Sequence, residues 1–251
     1  MSFYDLHKNE RTQLVGEIHA ALMKDVQKGE SANFEKYFSD EDTYIRKTGY
    51  QAVGKIYLSE GKLQGKVLNL LKELYSSENE KVRQTVINAA GEIGVKDFEV
   101  IEEFMDKGLF DAHHKVRNAV IGSMKKMGEK NPKPVLAFAQ KYLHHEDKEI
   151  RREICHGIEL RGRTHPQDIL PLLRELQDDK TKRVRDTLVH VLGQIAYKKG
   201  CLEIVVSDLR GWHNKELVAD AIAEIIDVHE RYKNFAVKTQ DEARAYIERH
   251  L

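Results

Sequence analysis

The sequence predicts an all-α protein, an α-solenoid built from about six stacked helical hairpins. The main observation is an aliphatic–arginine pair that recurs with steps of 37, 34, 34 and 34 residues between the arginines, at Ile45-Arg46, Val82-Arg83, Val116-Arg117, Ile150-Arg151 and Val184-Arg185. A repeat this regular is typical of proteins in which each unit buries its apolar face against its neighbours. Apolar residues between the pairs follow helical spacing, and no run alternates long enough to predict a strand.

The repeat assigns every part of the chain to one continuous array over residues 1–251. Leu14, Ile18, Leu22 and Val26 follow one helical face, which predicts an N-terminal capping helix over residues 9–30. The predicted hairpins span residues 31–59, 62–95, 98–129, 132–163, 166–198 and 200–230, and a C-terminal helix spans residues 239–250. Thr239 and Glu242 have the spacing of a capping box, as do Ser77 and Glu80.

Composition excludes several classes of function. Lysine and arginine number 41 against 41 aspartates and glutamates, so no net field attracts nucleic acid or an anionic membrane. Cys155 and Cys201 are too few for a disulfide framework. No stretch approaches the roughly 18 apolar residues of a membrane span. We therefore expect a cytoplasmic protein without membrane contacts.

An acidic residue stands five places before three of the aliphatic residues, at Asp40, Asp111 and Asp179. This spacing resembles the signature of HEAT repeats, whereas the tryptophan, Leu-Gly and tyrosine pattern of tetratricopeptide repeats is absent. The resemblance implies that turn aspartates and helix arginines form a ladder of hydrogen bonds between neighbouring units. The predicted structural ladder comprises Arg46, Arg83, Arg117, Arg151, Arg185, Asp40, Asp111 and Asp179.

A narrower resemblance covers residues 150–196. Ile-Arg-Arg-Glu-Ile-Cys-His-Gly begins at Ile150, Leu-Pro-Leu-Leu follows at 170–173, and Asp-Asp and Val-Arg come next. This order resembles the HEAT-like DNA alkylation repair proteins, a group that includes glycosylases. Cys155-His156-Gly157 stands where members tend to have Ser-Glu-Gly, so no catalytic carboxylate is carried over; Glu153 and Glu159 are poor substitutes.

One polar stripe is the candidate ligand site. Each helical residue advances about 100°, so positions two, six, nine and ten after the aliphatic residue lie on one face of the second helix of each hairpin. Second helices are expected to line the concave surface of a HEAT solenoid. The predicted ligand-binding residues on that surface are Lys47, Gln51, Gln84, Asn88, Asn118, Lys125, Arg152, His156 and His190. A solvated helix face is an equally good interpretation.

The sequence was also searched for a phosphate-binding site and a metal site. Arg161, Arg163, Lys182 and Arg183 belong to a basic cluster and are the best candidates for phosphate binding, although solubilising charges at helix ends explain them as well. The 12 histidines show no zinc-type spacing, and His156 with His190 lacks a third ligand, so we expect no metal and no cofactor.

The sequence therefore favours a non-catalytic binding or scaffolding module whose concave face binds a protein or peptide partner, with nucleic acid as a further candidate ligand. The alternative is a DNA-repair protein related to the HEAT-like alkylpurine glycosylases. No Ser-His-Asp order, glycine-rich phosphate loop or nucleophile elbow is present, so an enzymatic role is left open and not favoured.

Overall fold

A computed structural model describes residues 3–251, and all regular structure among them is helical. The chain divides into two compact units, residues 1–123 and 124–251. The boundary lies within one long helix. The prediction of a single array across both units stays a prediction, so each unit is described by itself.

Unit 1 consists of helical hairpins preceded by a long helix. The described residues also contain short 3-10 turns at Phe3–Asp5 and Gly61–Leu63. The α-helices of unit 1 are α1 (Lys8–Lys28), α2 (Ala32–Phe38), α3 (Thr43–Ser59), α4 (Gln64–Tyr75), α5 (Glu80–Gly94), α6 (Glu102–Leu109) and the first part of α7 (His114–Lys130). Helix α1 packs on α2 and α3.

Unit 2 repeats the same plan. It contains the rest of α7, followed by α8 (Pro132–Tyr142), α9 (Lys148–Gly157), α10 (Glu159–Gly162), α11 (Pro166–Glu175), α12 (Lys182–Gln194), α13 (Cys201–Leu209), α14 (Lys215–Arg231) and α15 (Gln240–His250). Helix α12 packs against both α9 and α14, so the second helices of consecutive hairpins lie side by side. The predicted α-solenoid fold class is confirmed.

The aliphatic residue of the repeated pair faces the core. Val82, Val116, Ile150 and Val184 are all at most 3% exposed, whereas Ile45 in the first hairpin is half-buried. Burying a side chain of this size contributes roughly 1.5 to 3 kcal/mol. One apolar residue per period therefore fixes which face of each second helix packs inward.

Short polar side chains begin the second helices. Asp42, Asn79, Asp147 and Asn214 each accept a hydrogen bond from a backbone N–H in the first turn of the following helix. Such caps satisfy donors that have no partner within the helix. The predicted Ser77–Glu80 capping box is wrong, because Asn79 is the cap and the Ser77 hydroxyl accepts from the Asn79 N–H. The Thr239–Glu242 capping box is confirmed.

The predicted hydrogen bonds between an arginine of one hairpin and a turn aspartate of the next are formed at two places. Arg83 donates to both carboxylate oxygens of Asp111, at 2.8 and 3.1 Å, and Arg151 does the same with Asp179, at 2.6 and 3.2 Å. Both aspartates are nearly buried, and the arginine side chains are 15 to 17% exposed. The hydrogen bonds lower the pKa of Asp111 and Asp179 although burial alone would raise it.

The other ladder residues are bonded differently. Arg46, Arg117 and Arg185 donate to the backbone carbonyls of their own turns, six residues earlier, as Arg83 and Arg151 also do. Asp40 accepts from the Asp42 N–H at 2.7 Å. An arginine in this position therefore stabilises the turn that precedes its own helix. It also links two hairpins where the turn of the next hairpin contains an aspartate.

Glycines let the second helices of unit 1 approach closely. A Cβ atom added to Gly91 would lie 2.4 Å from the Ser123 Oγ and 3.2 Å from its Cα, and one added to Gly54 would lie 2.4 Å from the Glu92 Cβ. Any larger residue would force the backbones apart. Gly54 and Gly91 both stand nine residues after the aliphatic residue of their repeats.

A buried tryptophan occupies the turn before α14. Trp212 is fully buried in unit 2 and donates its indole N–H to Asp208 at 2.7 Å. It stands five residues before Leu217, where three of the other repeats have the ladder aspartate. The turn is thus held by an apolar side chain. Among residues 3–251, no helix combines the length and the apolar character needed to cross a bilayer.

Candidate functional site

The second helices of unit 2 form a groove that contains part of the predicted polar stripe. This second-helix groove has a volume of about 260 Å³ and is lined by Arg152, His156, Arg183, Asp186, Thr187 and His190. The first two residues belong to α9, and the others belong to α12. Three of the predicted ligand-binding residues, Arg152, His156 and His190, therefore lie together.

The groove is bordered by an ion pair that links its two arginines. Glu149 accepts from Arg152 Nε at 2.9 Å and lies 3.1 Å from Arg183 Nη1. Arg152 also contacts the buried carboxylate of Glu153 at 3.4 Å. The Arg183 side chain is 66% exposed, whereas that of Arg152 is 17% exposed. One guanidinium is thus held in place and the other is free to move toward a ligand.

A buried carboxylate lies beside the groove. Glu159 is 1% exposed, and its Oε2 atom is 3.0 Å from Lys125 Nζ and 3.1 Å from His156 Nε2. Lys125 Nζ is also 2.8 Å from His156 Nε2, so the three groups are in mutual contact. Because an ammonium only donates, His156 Nε2 either accepts from Lys125 or carries a proton and donates to Glu159.

The second oxygen of Glu159 is fixed separately. Arg163 Nε donates to Glu159 Oε1 at 2.9 Å, and Arg163 Nη2 donates to the Gln194 side-chain oxygen at 2.8 Å. Gln194 is 1% exposed, and its side-chain nitrogen has no hydrogen-bond partner among the described residues. Arg163 thus orients Glu159 so that Oε2 points to the histidines.

The charge on Glu159 is stabilised despite burial. Burial alone would raise the pKa of Glu159, but hydrogen bonds from His156 and Lys125 and the charges of Lys125 and Arg163 lower it to about 2. A buried carboxylate without such partners would be protonated near neutral pH. Glu159 is therefore ionised throughout the physiological range.

His190 extends the cluster toward α14. Its Nε2 atom lies 4.0 Å from Glu159 Oε2, and its Nδ1 atom lies 3.7 Å from Glu224 Oε1. The rings of His156 and His190 meet edge to face with centroids 5.9 Å apart. Burial lowers the pKa of His190, although the charge of Glu159 opposes that effect. The lowered pKa favours a neutral imidazole. We call Lys125, His156, Glu159, Arg163 and His190 the Glu159 cluster.

A break in the second helix lies next to Glu159. Helix α9 ends at Gly157, Ile158 adopts a turn, and α10 begins at Glu159, whereas α3, α5, α7, α12 and α14 run without interruption. The Ile158 N–H still bonds to the Ile154 carbonyl at 3.3 Å. Local irregularities of this kind often accompany functional positions in helices. The break was not predicted from the sequence.

The predicted phosphate-binding residues are each paired with a carboxylate. Arg161 donates to Asp168, Arg163 to Glu159, Lys182 to Asp186, and Arg183 lies beside Glu149. Arg163 belongs to the Glu159 cluster, and Arg183 lines the second-helix groove. A phosphate would have to compete with these carboxylates at every position.

The polar stripe of unit 1 is organised differently. Lys47, Gln51, Asn88 and Asn118 are exposed or half-buried, and their side chains form no hydrogen bond or ion pair within residues 3–251. The Gln84 side-chain oxygen is buried without a hydrogen-bond partner in the same part of the chain. Apart from Gln84, the stripe in unit 1 therefore has the character of a solvated face, and the residues that interact with one another lie in unit 2.

The role of Glu159 was not predicted from the sequence. Glu159 was considered only as a poor substitute for a catalytic carboxylate, and the His156–His190 pair was expected to lack a third ligand. The structure brings Glu159 within 3.1 Å of one histidine and 4.0 Å of the other. A usable signal was present, because the ninth position reads Gly54, Gly91, Lys125, Glu159 and Gly193 along the chain. Two opposite charges replace glycine in consecutive repeats.

Solved structures with a similar fold include two proteins from Streptococcus mutans. AlkD2 is 18% identical, with 82% of this chain and 97% of AlkD2 covered and a TM-score of 0.55. The protein smu.31 from strain UA159 is 19% identical, with coverages of 83% and 97% and a TM-score of 0.53. The MAST/Orbit N-terminal domain is 16% identical, with coverages of 78% and 96% and a TM-score of 0.52.

These similarities concern the fold. They confirm the HEAT-type α-solenoid, and both sequence resemblances are confirmed as resemblances of fold. No protein-family profile matches the chain, and no curated protein matches it in sequence.

Proposed function

We propose that the protein is a non-catalytic HEAT-type binding module that holds a protein or peptide partner in the second-helix groove of unit 2. The observation that carries the proposal is the convergence of Arg152, His156 and His190 on one groove of about 260 Å³. These residues were selected from helical geometry alone. The buried Glu159 lies 3.1 Å from His156 and 4.0 Å from His190, and Glu149 holds Arg152.

The charges around the groove favour a peptide over a polyphosphate. Arg152 and Arg183 share Glu149, and Asp186 on the groove wall is paired with Lys182. A nucleic-acid backbone presents acceptors only, whereas a peptide presents N–H donors and carbonyl acceptors together. A surface with both kinds of group is complementary to the second pattern.

The partner test uses a peptide selected from a displayed library on the full chain. An Arg152→Ala, His156→Ala variant should bind the selected peptide at least about tenfold more weakly than the parent, as expected when two central contacts are removed. An Arg210→Ala, His213→Ala variant is the matched control, since it removes the same residue types from an exposed surface elsewhere in unit 2. Equal binding by the parent and the groove variant would show that the partner uses another surface.

Duplex DNA is the second candidate ligand, in line with the resemblance of residues 150–196 to DNA alkylation repair proteins. The observation that favours it is Arg183, whose largely exposed guanidinium lies beside Arg152 on the groove. Binding through phosphates must weaken steeply with salt, by several orders of magnitude between roughly 50 and 200 mM when six or more contacts form. Interferometry with a duplex at several salt concentrations tests this candidate, and salt-independent or undetectable binding rejects it.

A further inference from the structure

The Glu159 cluster contains three metal-ligand atoms that face one point. One ligand atom each of His156, Glu159 and His190 lies within 4.8 Å of the other two. Ligand atoms around a tetrahedral zinc ion stand at about 2.0 to 2.2 Å from the metal, which places them roughly 3 to 3.5 Å apart. The separations of 3.1 and 4.0 Å from Glu159 Oε2 to the two histidines need only small side-chain rotations to reach this geometry.

A cation already lies at this point. The Lys125 ammonium is 2.8 Å from His156 Nε2 and 3.0 Å from Glu159 Oε2, so it is held between the two atoms that would ligate a metal. Its side chain is 23% exposed and ends a flexible four-carbon stem, which allows the ammonium to swing into solvent. Lys125 therefore marks a position where the protein stabilises positive charge.

The surroundings resemble the support that proteins give to metal ligands. Arg163 holds Glu159 through Oε1 and leaves Oε2 directed to the histidines. The Nδ1 side of His190 faces Glu224 at 3.7 Å, and Glu224 is in turn fixed by Arg231 at 2.8 Å. A carboxylate behind the second ring nitrogen is the usual partner of a ligating histidine, because it fixes the orientation of the ring.

We propose that His156, Glu159 and His190 bind a divalent transition-metal ion, with zinc as the metal that fits the donor set best. Two imidazole nitrogens and one carboxylate oxygen are the ligands of an open zinc site, in which water or a ligand atom takes the fourth position. His156 and His190 also line the second-helix groove, so the fourth position opens into it. The proposal does not depend on the identity of the partner that the groove holds.

The test is titration of the metal-free full chain with Zn²⁺ alone, followed by calorimetry. We expect one ion per chain, and binding at least about tenfold weaker in His156→Ala and in His190→Ala. His144→Ala is the matched control, because His144 pairs with Glu175 at 2.7 Å on an exposed surface of the same unit and should bind zinc like the parent. Addition of Co²⁺ to the parent should give the intense visible absorption of a tetrahedral site, and His190→Ala should lose it.

A second variant separates the proposal from a folding defect. Lys125→Met removes the competing ammonium and keeps the three ligands, so it should bind zinc at least about tenfold more tightly than the parent. Absence of binding in both the parent and Lys125→Met overturns the proposal. So does one-to-one binding that remains unchanged in both His156→Ala and His190→Ala.

Discussion

The two units use the same repeat for different purposes at its ninth position. In unit 1 this position is Gly54 or Gly91, and each glycine lets a neighbouring helix approach so closely that a Cβ would collide with it. In unit 2 the position holds Lys125, Glu159 and then Gly193. The charged groups of Lys125 and Glu159 meet 3.0 Å apart, whereas a Cβ added to Gly193 would lie 2.5 Å from Glu224 Cγ. The comparison shows that this position faces the neighbouring helix in either unit, and that its occupant decides between close packing and a polar site.

The sixth position shows the same division. Gln51 and Asn88 in unit 1 form no side-chain hydrogen bond within residues 3–251, whereas His156 in unit 2 contacts Lys125 and Glu159. The next occupant in unit 2, His190, lies near Glu159 and Glu224. The site is centred on the repeat in which both positions are polar, at His156 and Glu159, and the neighbouring repeats add Lys125 and His190.

The largest effect on the free energy of unfolding is expected when the buried carboxylate of Glu159 in unit 2 is removed. Glu159→Ala should lower the free energy of unfolding by about 3 kcal/mol, because Lys125 and Arg163 lose the carboxylate that they share. Glu175→Ala is the control, since it breaks an exposed pair with His144 and should cost under about 1 kcal/mol. Urea denaturation measures both, and equal losses would contradict the assigned importance of the buried pair.

The ladder should give the next largest effect, and it should be the same in both units. Arg83→Ala and Arg151→Ala each remove a bidentate contact to a nearly buried aspartate and two bonds to turn carbonyls, so each should cost about 2 kcal/mol. The two losses, measured by urea denaturation, should agree within about 1 kcal/mol. A larger difference would mean that the units do not use the ladder equally.

A smaller effect is expected from a methyl group at the ninth position of unit 1. Gly91→Ala should lower the free energy of unfolding by about 1 kcal/mol, because the new Cβ would lie 2.4 Å from the Ser123 Oγ. Gly16→Ala in α1 is the control, since nothing lies within 4 Å of the added atom, and it should stabilise the helix by up to about 1 kcal/mol. Stabilisation by both substitutions would contradict close packing at Gly91.

The smallest effect is expected from acidic pH, which should lower the stability of unit 2 through its buried histidines. Burial lowers the pKa of His190 and His229 below the ordinary value. The stability these neutral rings provide is therefore complete above about pH 6.5, and it is lost as the pH falls below that value through the lowered pKa of the folded state. The thermal midpoint of the parent should fall between roughly pH 7.5 and 5.5. His190→Asn should show a smaller fall, and an equal fall would remove His190 as a contributor.

Much of the fold was predictable because the repeat leaves a strong periodic signal. One aliphatic–arginine pair in each period fixes the second helices, and prolines at Pro132 and Pro166 mark the starts of α8 and α11 as expected. The choice between neighbouring N-cap residues was harder to predict, and the N-cap of α5 is Asn79 and not Ser77. The break at Ile158 has no distinct signature, since Gly157 is followed by residues that suit a helix.

The site was predictable in its position and not in its chemistry. Helical geometry placed Arg152, His156 and His190 on one face, and the structure brings them to one groove. The same geometry predicted the unit 1 residues as ligand-binding residues too. The position of a residue on a helix indicates which face its side chain lies on, but it does not indicate which other side chains it contacts. The side chains of Arg83 and Arg151 stay 15 to 17% exposed, since their guanidinium groups reach the turn carbonyls at the edge of each unit.

Trp212 gives the molecule a built-in optical reporter. It is the single tryptophan of the chain, it is fully buried, and it lies in unit 2 with its indole N–H bonded to Asp208. Exposure of an indole to water shifts its emission to longer wavelength, so the emission maximum follows the unfolding of unit 2 alone. Circular dichroism follows the helices of both units. A difference between the two transitions would therefore show directly which half of the chain opens first.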